Sequence, residues 1–104
     1  MEDRALPGTG VSISQLRALA QRHSVRRLDL FGSAARGEVG PRDYDFLVEF
    51  EPLPPVEHGR AYLALLQALQ AAVGAPVDLV EIEALRNPYF LAQIAHERVT
   101  IYAA

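Results

Sequence analysis

Asp43 and Asp45, two positions apart, and Asp78 further along are the residues of this chain with the clearest chemical potential. In an extended segment, alternate residues project to one face with Cα atoms ~6.5–7 Å apart, so the first two carboxylates stand side by side. Such a pair repels unless a cation lies between its members, and hard oxygen ligands of this kind suit Mg²⁺. Asp78 sits in "VDLV", where a charge between apolar neighbours is unexpected. Each feature also has a plain reading, as a solvated acid at or near a strand.

Upstream, "LFGSAARG" ends an apolar run in Gly32-Ser33. A strand that runs through Gly-Ser into a helix leaves free backbone N–H groups at the helix start, which favour an anion. Gly32 would let a phosphate approach the main chain, and Ser33 adds a hydroxyl. Gly32 and Gly37 match the glycine spacing of a Walker A loop, but Glu38-Val39 stands where that loop needs Lys-Ser or Lys-Thr, which excludes a P-loop NTPase. The plain reading is an ordinary strand-to-helix turn with Ser33 as N-cap. Taken together, a phosphate-holding helix start, a D-x-D facing it and an aspartate from another strand are the parts of a two-metal phosphoryl or nucleotidyl transfer site.

These residues need a scaffold. Ile13, Leu16, Leu19 and Ala20 have helical spacing, and Ser12 with Gln15 forms a capping box, which predicts a helix over 13–23. "VRRLDLF" predicts a strand near 26–31, and "SAARG" holds a turn or two of helix. In "RDYDFLVEF", Tyr44, Phe46, Val48 and Phe50 share one face of a second strand. Asp43, Asp45, Leu47 and Glu49 share the other, which is expected to border a cleft or open water. Residues 57–73 carry a helical stripe of Tyr62, Leu65, Leu66, Leu69 and Val73 that Gly74 ends. A third strand follows over 77–82, a last helix over about 88–97, and a short fourth strand in "VTIYA". The fold class is α/β: a small mixed β-sheet packed with helices in a single domain at 12–104, preceded by a flexible arm at 1–11.

The chain has 104 residues, enough for one domain, and no cysteine, which removes disulfides, thiolate zinc sites and cysteine nucleophiles. Its formal net charge of −3, with basic residues scattered, disfavours nucleic acid as the direct ligand. The N-terminal residues do not form a signal peptide and no run is long enough to span a membrane, so a cytoplasmic protein is expected. His23, His58 and His96 have no zinc-site spacing. His23 is expected at a helix C-terminus where the dipole favours a cation, and Tyr62, Tyr89 and Tyr102 as half-buried packing residues, Tyr89 with a place on a partner surface.

Gly32-Ser33, "ARG" at 35–37, Asp43-Tyr44-Asp45 and the lone Asp78 together resemble the minimal nucleotidyltransferases (MNT proteins) of the DNA polymerase beta-like superfamily. The similarity extends through "FLVEF", "VDLV" and "NPYF" and spans roughly residues 13–102. One departure is Arg42, where the family often has Ser; it pairs either with a phosphate or with a nearby carboxylate. The resemblance implies a polymerase beta-like nucleotidyltransferase fold and an antitoxin that transfers AMP from ATP to a tyrosine of a HEPN ribonuclease toxin. It implies Asp43, Asp45 and Asp78 as catalytic ligands of two Mg²⁺ ions, and Gly32 and Ser33 as holders of the ATP phosphates. Arg36 reaches a phosphate or locks the short helix by pairing with a carboxylate. Other readings are a nucleotidyltransferase with an RNA or small-molecule acceptor, and an antitoxin that only occludes its toxin.

Overall fold

The computed structural model describes residues 4–37, 43–84 and 87–104. The first helix, α1 (Ile13–Arg22), starts where the sequence places it. The Ser12 hydroxyl accepts from the Gln15 amide (3.2 Å), and the Gln15 side chain accepts from the Ser12 amide (2.8 Å). Two of the helix's unpartnered N-terminal donors are thereby satisfied reciprocally. The inward stripe buries Leu16 and Ala20.

Strand β1 (Val25–Phe31) leads without a loop into α2 (Gly32–Ala35), and β2 (Tyr44–Phe50) returns antiparallel to β1. Helix α3 (Pro55–Val73) then crosses over to β3 (Val77–Glu81), which pairs parallel to β2. Proline at the start of α3 fits because the first turn has N–H groups to spare, and Gly74 ends it with φ +71°, a left-handed value that favours glycine. A 3₁₀ turn (Ile82–Ala84) and α4 (Pro88–Ala95) follow, with the Asn87 side chain capping α4 at the Tyr89 amide. β4 (Val99–Ala103) closes the sheet on the far side of β1, antiparallel to it. Among the described residues the sheet order is β3-β2-β1-β4, a mixed sheet as expected. The last helix ends at Ala95, somewhat short of the expected boundary.

Period-2 alternation divides the sheet into two faces. One carries Leu28, Leu30, Phe46, Val48 and Leu79 and packs against Leu16 of α1 and Leu65 and Leu69 of α3; this is the main core. The other is not simply a cleft or open water. Phe31 and Leu47 are buried there under Ile94 of α4, with Val80, Phe90 and Leu91 around them. A chain this apolar has enough side chains to cover both faces, and α4 supplies the second cover.

The segment expected as a loose arm is folded onto the domain from residue 4. Leu6 and Val11 are buried, and Leu6 and Val11 bond to each other through the backbone (2.8 Å). The Arg4 carbonyl accepts from Ile13, and the Tyr44 hydroxyl donates to the Pro7 carbonyl. Two buried aliphatic side chains, each contributing about 2 kcal/mol, outweigh the loop-like composition around Pro7 and Gly8. Among the described residues no helix is long and apolar enough to cross a membrane.

Candidate active site

The register of the sheet settles where the aspartates stand. In the parallel ladder between β2 and β3, Asp45 is the direct partner of Asp78, and on its other side Asp45 is the partner of Phe31. Asp45 and Asp78 therefore lie side by side on one face, at the end where β2 and β3 begin and β1 finishes. Asp43 is exposed, immediately before β2. Tyr44, between the two aspartates, turns the opposite way into the core, where it is almost fully buried. The "DYD" triplet thus has an anchor in its middle and carboxylates on the outside.

Gly32 joins this cluster from the neighbouring strand end. Its φ is +73°, and a Cβ there would meet the Oδ2 atom of Asp45 at 2.3 Å. The missing side chain at 32 is the space that the Asp45 carboxylate occupies. Close approach was expected at this glycine for a phosphate; the approach that the structure displays is that of a carboxylate. Ser33 is not the N-cap of α2. The cap position is Phe31, with no side-chain cap bond, and Ser33 lies inside the first turn. Its hydroxyl has no protein partner among the described residues and is free for a ligand.

Electrostatics follows from this crowding. Burial pushes the Asp45 carboxyl above the usual carboxylate range, Asp43 and Asp78 push it further, and the Arg36 guanidinium partly offsets them. Asp78 is exposed and forms no ion pair among the described residues. Among the described residues, no three acidic or histidine side chains stand close enough to form a ready-made metal cage. The donor chemistry nevertheless fits a divalent cation. Three hard carboxylates within electrostatic reach of one another, with the Asp45 pKa raised first by burial and then by its two acidic neighbours, are a donor set that a hard cation would stabilise.

Arg36, just past the end of α2, pairs with Glu97 in the link between α4 and β4 (3.0 Å). The Arg–carboxylate pairing that locks the short helix is therefore present, and Arg36 also acts electrostatically on Asp45. Arg42 and Glu38 lie outside the described residues.

Reading the sequence missed Asp29. Its side chain is fully buried on the same face as Asp45, held by Arg27 (3.1 Å) and by Arg98; Arg27 also donates to the Thr100 hydroxyl (3.1 Å). The signal was present. "LDL" at 28–30 breaks an apolar run as "VDLV" does, and the rule that singled out Asp78 applies equally to Asp29. The two differ in fate: Asp29 is buried and neutralised, whereas Asp78 is exposed and has no ion-pair partner among the described residues.

The remaining expectations have mixed outcomes. His23 caps α1, but burial and Arg22 lower its pKa, against the helix-dipole expectation. His58 faces Glu81 and packs edge-on to Phe50. Tyr62 is half-buried, donating to the Leu79 carbonyl (2.6 Å), whereas Tyr89 is 85 % exposed and no packing residue.

Residues 13–101 match the nucleotidyltransferase domain family. A Methanocaldococcus jannaschii protein described as a protein adenylyltransferase is 32 % identical over 84 residues, covering 80 % of this chain and 83 % of its own. The protein adenylyltransferase MntA of Thermococcus cleftensis is 37 % identical over 70 residues, 66 % of this chain and 68 % of its own. In fold, the chain is similar to a solved structure of a tri-AMPylated Shewanella oneidensis HEPN toxin in complex with MNT antitoxin. The TM-score is 0.61 at 20 % identity, covering 88 % of this chain and 70 % of that one. The family match runs from the first helix to the last strand and takes in the glycine, the paired strands and every aspartate described above. The chain belongs to the nucleotidyltransferase domain family, and it is a nucleotidyltransferase.

Proposed function

We propose that this nucleotidyltransferase transfers AMP from ATP to a tyrosine hydroxyl of a HEPN-type ribonuclease toxin, and so neutralises it in the cytoplasm, where ATP is supplied. The observation that carries this reading is the placement of Asp45 opposite Asp78 in the β2–β3 ladder, with Gly32 packed on the Asp45 carboxylate. The named activities of the relatives, and the AMP-bearing HEPN toxin of the structural neighbour, support the acceptor class.

Asp43, Asp45 and Asp78 would hold two Mg²⁺ ions. When bound, these supply charge neutralisation for the phosphates and acidify the incoming hydroxyl. Gly32 and Ser33 hold the β- and γ-phosphates, which leave as pyrophosphate when the tyrosine oxygen bonds to the α-phosphorus and the bond from that phosphorus to the β-phosphate bridging oxygen breaks. The exposed carboxylate of Asp78 would accept the proton of the acceptor tyrosine. Tyr44, rooted in the core, keeps the two flanking carboxylates aimed outward. Beyond that, the protein's contribution is positioning: phosphoryl chemistry of this type needs the attacking oxygen in line with the α-phosphorus and little covalent participation.

The test is co-expression with a cognate HEPN toxin, followed by intact-mass and peptide mass spectrometry. AMP increments on a tyrosine are expected with the wild-type chain. They should be absent with the folded Asp43→Asn, Asp45→Asn variant. Toxin that is inhibited yet unmodified would replace this reading with simple occlusion, and AMP transfer by the folded double variant would remove the aspartates from the mechanism.

A further inference from the structure

Glu97 lies outside every motif considered above, yet it touches the site through Arg36. We propose that Glu97 is a positioning residue: its carboxylate holds the Arg36 guanidinium at the rim of the aspartate face, where the cation serves the incoming nucleotide instead of collapsing onto Asp45. The proposal rests on the site reading given above.

Three observations carry it. First, Arg36 stands between two sets of carboxylates. On one side is Glu97 at 3.0 Å, and on the other, one turn back along α2, is Gly32, whose carbonyl accepts from the Arg36 amide (3.2 Å) and which packs against the Asp45 carboxylate. An arginine released from Glu97 has an acidic cluster within electrostatic reach to turn to. Paired there, it would occupy carboxylate oxygens that a metal–nucleotide complex needs.

Second, Glu97 stands on a fixed base. Its neighbour Arg98 is bound to the fully buried Asp29, which Arg27 holds from the other side. On the other flank the Glu97 amide closes the end of α4 onto the Ile94 carbonyl (3.0 Å), and Ile94 is buried. A positioning group is useful only when its own support does not move, and residues 97–98 are held on both sides.

Third, the geometry makes one link serve two purposes. Successive residues reach α2 through Glu97 and β1 through Arg98, the two elements that meet at Gly32. The link between α4 and β4 therefore spans the junction from which Gly32 presses on Asp45.

The experiment combines a double-mutant cycle with a conservative rescue. Wild type, Glu97→Gln, Glu97→Asp, Arg36→Gln and the double variant Arg36→Gln, Glu97→Gln are compared for thermal stability, for calorimetric binding of Mg²⁺·AMP-PNP, and for kcat and KM of AMP transfer. For Glu97→Gln, the nucleotide Kd and KM rise about tenfold, with kcat within about threefold of wild type and the melting temperature within about 3 °C, as expected for loss of a half-exposed pair. Glu97→Asp recovers most of the binding. Glu97→Gln has no further effect once Arg36 is Gln, because the glutamate acts only through the arginine. Additive effects, or losses of binding that follow losses of melting temperature across the series, would make Glu97 a structural clamp and overturn the proposal. Unchanged binding in Glu97→Gln overturns it while leaving the active-site reading intact. If wild-type protein itself fails to bind Mg²⁺·AMP-PNP, the site reading fails and the positioning role falls with it.

Discussion

Replacing Gly32 by alanine tests the contact on which the site is built. Two separable penalties arise at this position. The backbone φ of +73° is left-handed, and an alanine there costs about 1 kcal/mol. For a domain of this size, that lowers the melting temperature by about 4–8 °C. The second penalty is steric. The new Cβ would lie 2.3 Å from the Asp45 Oδ2, with the carboxyl carbon at 3.3 Å and the Asp45 Cβ at 3.5 Å. Only the end of the side chain is in collision, so rotation of the carboxylate by roughly 1 Å relieves it at little further cost in stability. The same displacement is severe for chemistry, where a misplacement of about 1 Å lowers a rate by about 10²-fold. Gly37 supplies the control. Its φ is +76°, and a Cβ there meets nothing within 4 Å among the described residues. Gly37→Ala therefore carries the same backbone strain without touching Asp45. Thermal unfolding and the rate of AMP incorporation into the acceptor, followed by intact mass, are measured on both variants. The expected result is a similar loss of melting temperature in the two, with the rate lost only in Gly32→Ala. Equal rates in the two folded variants would mean that the contact between residue 32 and Asp45 has no part in catalysis.

Three further outcomes follow from the same geometry. Asp45→Asn should raise the melting temperature at pH 7 in metal-free buffer by about 2–4 °C, from roughly 0.5 kcal/mol of cross-strand repulsion relieved at a partly screened site. Because the folded-state pKa of Asp45 lies above its unfolded value, wild-type stability from this group is greatest at acid pH and is lost as pH rises through the folded pKa. A variant less stable than wild type at pH 7 would refute the repulsion. Asp29→Asn leaves Arg27 and Arg98 facing a neutral, buried amide and should cost about 3–5 kcal/mol in urea denaturation. Asp78→Asn, at an exposed position where it relieves the same repulsion, should change stability by no more than about 0.5 kcal/mol, and a loss similar to that of Asp29→Asn would contradict the burial assigned to Asp29. Tyr44→Phe removes the hydroxyl that holds the Pro7 carbonyl, at about 1 kcal/mol. Amide exchange at Leu6 should quicken, and unchanged exchange there would show that residues 4–11 are held by burial alone.

What the sequence disclosed, and what it hid, follows from how far each interaction reaches along the chain. The Ser12–Gln15 capping box, the proline start and glycine stop of α3 and the alternating faces of β2 are local, so residue types a few positions apart were sufficient to read them. The pairing of Asp45 with Asp78 is not local, yet it was within reach because the period of a strand fixes which residues share a face. Only the adjacency of β2 and β3 had to be supplied, and a helix between two strands favours it. The folding of residues 4–11 was hidden because Pro7 and Gly8 look like loop, while the tie that holds them comes from Tyr44 in β2.

Asp29 shows most clearly where sequence reading stops. Asp29 and Asp78 are each an aspartate with apolar neighbours on a strand, and nothing within several residues separates them decisively. Arg27 is near Asp29, but Arg98 is 69 positions away, and α4 lies over the sheet face on which Asp29 is buried. Whether such an aspartate becomes a structural anchor or a ligand is decided by what covers its face. Where α4 and the arginines close over the sheet, the charge is neutralised and the carboxylate braces the fold. At the end where β2 and β3 begin, no cation among the described residues pairs with Asp43 or Asp78, and the one beside Asp45 is tied to Glu97. That asymmetry along a single sheet face, an acid neutralised by two arginines and under-neutralised acids beyond it, is the physical reason why one end of this sheet has carboxylate oxygens to offer, as the proposed metal site requires, and the rest does not.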